Sequence, residues 1–141
     1  MTPKWLIAAL DELTFGVREI PGDADNPRII EYHAATSLGA SDDEVAWCSA
    51  FANWCMARAG IAGTNSAAAR SWLTWGVPLA VPRAGCVAVF KRGLSAWQGH
   101  VGFYLGTTSA GNVVVLGGNQ SDAVTVTTCQ HGDLLGYRWP G

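Results

Sequence analysis

The chain changes its hydrophobic period midway, and that change limits what it can fold into. Up to Gly76 the apolar residues recur at helical spacing. Beyond Pro82 they come as short runs of β-branched and aromatic residues divided by glycines. Helices first and strands afterwards is the order of an α+β fold, with N-terminal helices packed on a C-terminal antiparallel sheet. Leu6, Ile7, Leu10 and Leu13 predict one helical face, with Thr2 as cap, Pro3 in the first turn and Gly16 at the end. Pro21-Gly22-Asp23 reads as a turn, and Asn26-Pro27 as the cap and first position of a second helix through Tyr32. A third helix is predicted from Trp47 or Cys48 to about Ala59, closed by Gly60, and a short Ala-rich one from Ser66 to Trp75. Strands are predicted over Cys86–Phe90, His100–Leu105, Val113–Leu116 and Val124–Thr128, as an antiparallel meander. Leu134–Trp139 is a candidate for one more.

With 141 residues and no linker or internal repeat, residues 1–141 are expected to form a single domain. A 49% hydrophobic and 14% charged composition argues against disorder. A net charge of −2 and an isolated Lys91-Arg92 pair argue against a nucleic-acid partner. The apolar run Trp5–Leu10 is too short to span a membrane and short for a signal peptide. The expectation is therefore synthesis in the cytoplasm without classical secretion and without membrane insertion. None of the four cysteines forms a Cys-x-x-Cys pair, which argues against a zinc ribbon or a thioredoxin motif. Cys55, Cys86 and Cys129 are expected to be free, buried thiols.

Cys48 differs from these three. It stands where the third helix should begin, and a helix N-terminus favours a thiolate through its free N–H groups and partial positive charge. The same N–H groups can donate to the oxyanion formed as an acyl carbonyl turns tetrahedral. Downstream, His100 opens one strand-like run and Asn119 closes the next. A cysteine nucleophile, a histidine base and an amide that orients the imidazole make a Cys-His-Asn site in chain order. Gln120 and Asp122 are alternative orienters, and His33 and His131 are rival bases. Trp47, Ser49, Trp97 and Asp43 are the expected substrate contacts: the tryptophans as cleft walls, the acidic Asp42-Asp43-Glu44 run as a binder of amines. That acidic run also reads as a solvated charge cluster before a helix.

The pieces Trp47-Cys-Ser-Ala-Phe51 and Gly99-His-Val-Gly-Phe-Tyr104 together resemble the CHAP and NlpC/P60 superfamily of bacterial and phage cell-wall hydrolases. Glu19-Ile-Pro-Gly22, Asn26–His33, Ala69-Arg-Ser-Trp72 and Leu116-Gly-Gly-Asn-Gln120 extend the resemblance over nearly the whole chain. It implies a compact papain-like fold and peptidoglycan as substrate. The cut would fall within the stem peptide or between muramic acid and L-Ala. It places the nucleophile on Cys48, the base on His100 and the third polar residue on Asn119. Many CHAP enzymes carry an acidic residue two positions before that Asn; here it is Gly117. No cofactor is implied. Some relatives bind calcium near the cysteine, and no metal is expected here.

Relatives act as phage endolysins or as injected antibacterial amidase toxins, so action in the periplasm or wall after release or injection is expected. The toxin version implies a periplasmic immunity protein as partner. The alternatives are a non-catalytic wall-binding module, which would lack the Cys or His, and an acyltransferase, which would need a hydrophobic acceptor site.

Overall fold

The computed structural model describes residues 1–20, 25–36 and 46–141. Three α-helices come first: α1 (Lys4–Phe15), α2 (Pro27–His33) and α3 (Cys48–Arg58). A 3-10 helix, Ala69–Thr74, leads into six strands: β1 (Val77–Leu79), β2 (Val87–Lys91), β3 (Gly99–Thr107), β4 (Val113–Gln120), β5 (Ala123–Cys129) and β6 (Leu134–Trp139). The strands form one sheet in the order β1-β6-β2-β3-β4-β5. Every neighbouring pair is antiparallel. The α+β expectation matches this architecture.

The simple meander does not. Strands β2 to β5 follow one another, but β6 crosses back to pair with β2, and the unanticipated β1 adds to its outer edge. The reason lies in β2, where Val87 through Phe90 are all buried. A strand covered on both faces belongs in a sheet's interior, with a neighbour on each edge. Its Val87 and Val89 face the main core with the helices, and Ala88 and Phe90 face a smaller cluster with Val113 and Val115.

The helical layer is held by a few specific contacts. The Trp5 indole N–H donates to the Gly85 carbonyl at 2.7 Å, and its ring meets Trp139 edge-on at 5.1 Å. That anchor sets the face of α1. Trp5, Leu6, Ala9 and Glu12 turn inward, while Ile7 and Leu10 are 46% and 37% exposed. The inward carboxylate is tolerated because it accepts from the Tyr32 hydroxyl at 2.6 Å and from Arg28 at 2.9 Å. Pro3, not Thr2, occupies the cap position of α1, without a side-chain cap, and Gly16 closes the helix in the left-handed conformation. Asn26 caps α2 as expected, accepting from the Arg28 N–H at 2.9 Å.

Helix α3 is buried all round over Cys48–Met56, the pattern of a helix enclosed by core. It lies directly on β4. A methyl group at Gly118 would stand 2.6 Å from the Trp47 ring and 2.7 Å from Phe51 Cβ, so only a missing side chain allows this approach. Gly118→Ala is therefore expected to destabilise the protein by about 1–3 kcal/mol through overpacking. Gly106→Ala, where nothing lies within 4 Å, should stay within about 0.5 kcal/mol of wild type. Urea melts of the two variants make the comparison, and equal stabilities would contradict this packing.

Candidate active site

Cys48 is the first residue of α3, and His100 is the second residue of β3. No side chain caps α3, so its first N–H groups are left to other acceptors. The backbone N–H groups of Val101, the residue after His100, and of Ser49 and Cys48 itself favour the Cys48 thiolate. The nucleophile is thereby seated against the start of β3.

The His100 ring is 2% exposed and stacks on Phe90, its cross-strand partner, at 6.5 Å. Its Nε2 lies 2.8 Å from Gln120 Oε1. The Gln120 amide nitrogen donates to the Thr125 carbonyl at 2.7 Å. A carbonyl only accepts, so the Gln120 NH2 is committed there and its Oε1 faces the ring. Nε2 then carries the proton and donates it to Gln120. Nδ1 is left with a free lone pair, buried and without a hydrogen-bond partner among the described residues. That lone pair is what a general base presents.

The side chain that meets the His100 ring is thus that of Gln120 and not that of Asn119. Continuing the Phe103↔Leu116 register would set Asn119 across from His100. A bulge between Gly117 and Gln120 breaks that alternation, with Asn119 in the left-handed region at φ 57°. One extra residue turns every following side chain to the other face, and Gln120 takes the inward place. Gly117 makes the room: a methyl group there would lie 2.7 Å from Gln120 Oε1. In the sequence, Gly117 left the choice among Asn119, Gln120 and Asp122 open. Asp122 is exposed and meets the chain elsewhere, its carbonyl accepting from the Glu19 N–H.

The expected substrate contacts separate. Trp97 is 74% exposed and lines a cavity of about 290 Å3 together with Cys48, Ala67, Ala68, Ala69 and Arg92. Trp47, expected as a wall, is fully buried against Tyr32 and Phe51. Ser49, expected to touch substrate, is also buried. Its hydroxyl donates to the Ser66 carbonyl at 2.7 Å and accepts from the Trp72 indole at 2.9 Å. Both are pulled inward because α3 is enclosed on every side. Asp43, with Asp42 and Glu44, lies outside the described residues. Of the rival bases, His33 is buried at the end of α2 and His131 is exposed beyond β5. Arg70 holds the loop that carries Trp97, donating to the Gln98 carbonyl at 2.7 Å and to Ser95 at 3.4 Å. All four cysteines are free; Cys55 and Cys86 are buried, while Cys129 is half-buried. Among the described residues no group of three His, Cys, Asp or Glu is placed to hold a metal ion.

Electrostatics departs from the sequence-based expectation of an ionised thiol. Burial pushes the Cys48 thiol up, and the Val101 N–H, Arg92 and the helix N–H groups pull it back only in part. Burial also pushes His100 down to about 4; the Gln120 hydrogen bond opposes this and Arg92 adds to it. The resting pair is a neutral thiol beside a neutral imidazole.

A family model of the CHAP domain matches residues 40–119, more than half of the chain. The chain belongs to the CHAP domain family. CHAP domains are typically cysteine- and histidine-dependent amidases or peptidases, and their substrate is peptidoglycan. No curated protein matches the chain.

Two outcomes are expected from this geometry. Gln120→Ala should lower kcat for peptidoglycan at least tenfold, by freeing the imidazole to rotate, whereas Asn119→Gly should cost little; steady-state rates compare them. Equal losses would return the orienting role to Asn119. The second concerns pH. The folded protein holds His100 neutral down to about 4, while the unfolded chain protonates it near 6.5. Its contribution is whole above pH ~6.5 and is lost as pH falls toward ~4, about 3 kcal/mol in all. Urea melts across that window should show a steeper loss in wild type than in His100→Gln; parallel curves would mean that His100 titrates normally.

Proposed function

We propose that the chain hydrolyses an amide bond of the bacterial cell wall through a thioester on Cys48. The observation that carries this is the His100 Nδ1 lone pair, fixed by Gln120 and Thr125, at the start of the strand on which α3, opened by Cys48, is packed. The Cys48 proton passes to Nδ1 as Sγ attacks the carbonyl carbon. Free N–H groups at the start of α3 take the oxyanion. As the C–N bond breaks, the proton on Nδ1 goes to the leaving nitrogen, which departs as an amine. Water then gives a proton to Nδ1 and attacks the thioester. The acid is released, and Nδ1 returns the proton to Cys48.

On this reading residues 1–141 act as one catalytic domain, related to the NlpC/P60 hydrolases, on peptidoglycan outside the cytoplasm. The scissile bond lies in the stem peptide or between muramic acid and L-Ala. The protein works in bacteriolysis, as a phage endolysin or as an injected amidase toxin with an immunity protein against it. Support comes from the family membership and from the presence of both Cys48 and His100, which a purely wall-binding module has no need to keep together.

Cys48→Ala is expected to abolish digestion of purified peptidoglycan with the melting temperature retained. Mass spectrometry of wild-type digests identifies the bond: a new L-Ala amino terminus marks an amidase, and a cut between stem residues marks an endopeptidase. A Cys48→Ala protein that digests at the wild-type rate would falsify the thioester route.

A further inference from the structure

An apolar side chain would be easier to bury than the one at position 53. Asn53 lies in the middle of α3 and is 3% exposed, where an amide costs stability unless its hydrogen bonds are made. They are made, and mostly to chain outside the helix. Nδ2 donates to the Ser49 carbonyl at 3.0 Å, with Thr64 Oγ1 at 3.2 Å and the Ser66 carbonyl at 3.3 Å also in reach. Oδ1 accepts from the Asn65 N–H at 2.9 Å. We propose that Asn53 is a positioning residue: through the segment from Thr64 to Arg70 it sets the walls of the cavity at Cys48. That role in the reaction rests on the thioester reading above, while the placement of the walls does not.

The segment has little else to hold it. Among the described residues, no backbone–backbone hydrogen bond involves Ala62 through Ala67. Asn65 sits in the left-handed region at φ 55°, where residues other than glycine are uncommon. Side chains supply the anchors. Besides Asn53, Ser49 donates from α3 to the Ser66 carbonyl at 2.7 Å, and Ser71 donates to Thr64 Oγ1 at 2.8 Å. The chain comes so close to α3 that a methyl group at Gly63 would collide with Asn53 Oδ1.

Downstream the segment becomes the cavity. Ala67, Ala68 and Ala69 line it together with Trp97, Gln98 and Gly99. The second group hangs from the first. Arg70 donates to the Gln98 carbonyl at 2.7 Å and to the Ser95 carbonyl at 3.4 Å. A methyl group at Gly99 would lie 3.1 Å from Arg70 Cγ and 3.5 Å from Ala69 Cβ, so the segment rests on the residue before His100. The anchors therefore act in series. Asn53 fixes the segment, the segment carries the alanines and Arg70, and Arg70 carries the loop of Trp97.

Labelling with iodoacetamide, followed at each cysteine by peptide mass spectrometry, tests the walls without any substrate. Cys48 lines the cavity, and Cys55 on the same helix is fully buried. Asn53→Ala should speed labelling of Cys48 by about tenfold through local opening and leave Cys55 as slow as in wild type. A proportional rise at both cysteines would mean general loosening of the fold, and no rise at Cys48 would mean that the walls stand without Asn53; either overturns the proposal. Gly63→Ala displaces the segment and keeps the amide. It should give the same pattern, it carries the test if Asn53→Ala does not fold, and wild-type labelling of this variant overturns the proposal too. Arg70→Ala should also speed Cys48, and the double variant with Asn53→Ala should label no faster than the faster single one, since the anchors are in series. Effects that multiply would make the two independent and overturn the series. With soluble stem peptides as substrate, Asn53→Ala should raise KM and leave kcat near wild type; a loss in kcat alone overturns the role in turnover. Wild type that cleaves no such peptide and no peptidoglycan sinks the thioester reading, and the labelling result stands by itself.

Discussion

The seating of the α3 N-terminus on the start of β3 and the end of β4 is the constraint on which everything else depends. It requires a strand without a side chain at Gly118, where the Trp47 ring and Phe51 rest. It requires Trp47 and Ser49, on either side of the nucleophile, to be buried and held, Ser49 by the Ser66 carbonyl and the Trp72 indole. In return the Val101 N–H favours the Cys48 thiolate. Thiol, imidazole and orienting amide therefore sit on rigid elements, where small displacements are resisted by close packing. The residues beside Cys48 in sequence serve that rigidity, and Trp97, on a loop pinned by Arg70, lines the cavity at Cys48.

The same burial decides the charge state of the pair. A helix N-terminus is worth about 0.3–1 kcal/mol to an anion at an exposed site and up to ~2 in a partly buried one. Full burial of an ionisable group moves its pKa by up to ~3–5 units, several kcal/mol. With Cys48 5% exposed and His100 2% exposed, desolvation is the larger effect for both. A sequence reading sees the helix start but not the depth at which it sits, which is why an ionised thiol was the natural expectation.

Much of the fold was legible because it follows local rules. The Asn26-Pro27 cap, the Gly16 stop, the buried run of α3 and the runs of β3 to β6 are written in spacing and turn chemistry. What escaped were non-local choices. The return of β6 to β2 depends on β2 being covered on both faces. The inward turn of Glu12 depends on partners, Tyr32 and Arg28, that come from another helix. The site divides in the same way. Cys48 could be placed because it opens a helix, His100 because it stands near the start of a strand, and Trp97 because it lies in a polar loop before that strand. Asn119 was expected beside the ring because a period of two is the default along a strand; a bulge cancels it and brings Gln120 there. The bulge has a sequence trace, Gly117-Gly118-Asn119, but that trace reads equally well as a turn.

A carboxamide as the orienting group fits the neutral resting state. A carboxylate on Nε2 would stabilise the imidazolium and draw the Cys48 proton onto the ring before substrate arrives. Gln120 fixes the ring and its tautomer with far less pull on the charge. Its own orientation is set by Thr125, so the constraint runs from β5 through β4 to β3. On the proposed thioester route, proton transfer from Cys48 is driven by what the substrate brings: a carbonyl whose developing oxyanion the α3 N–H groups can hold. The thiolate is the form that oxidants attack. On the same route, a thiol kept neutral until a carbonyl is in reach is protected by the burial that raises its pKa.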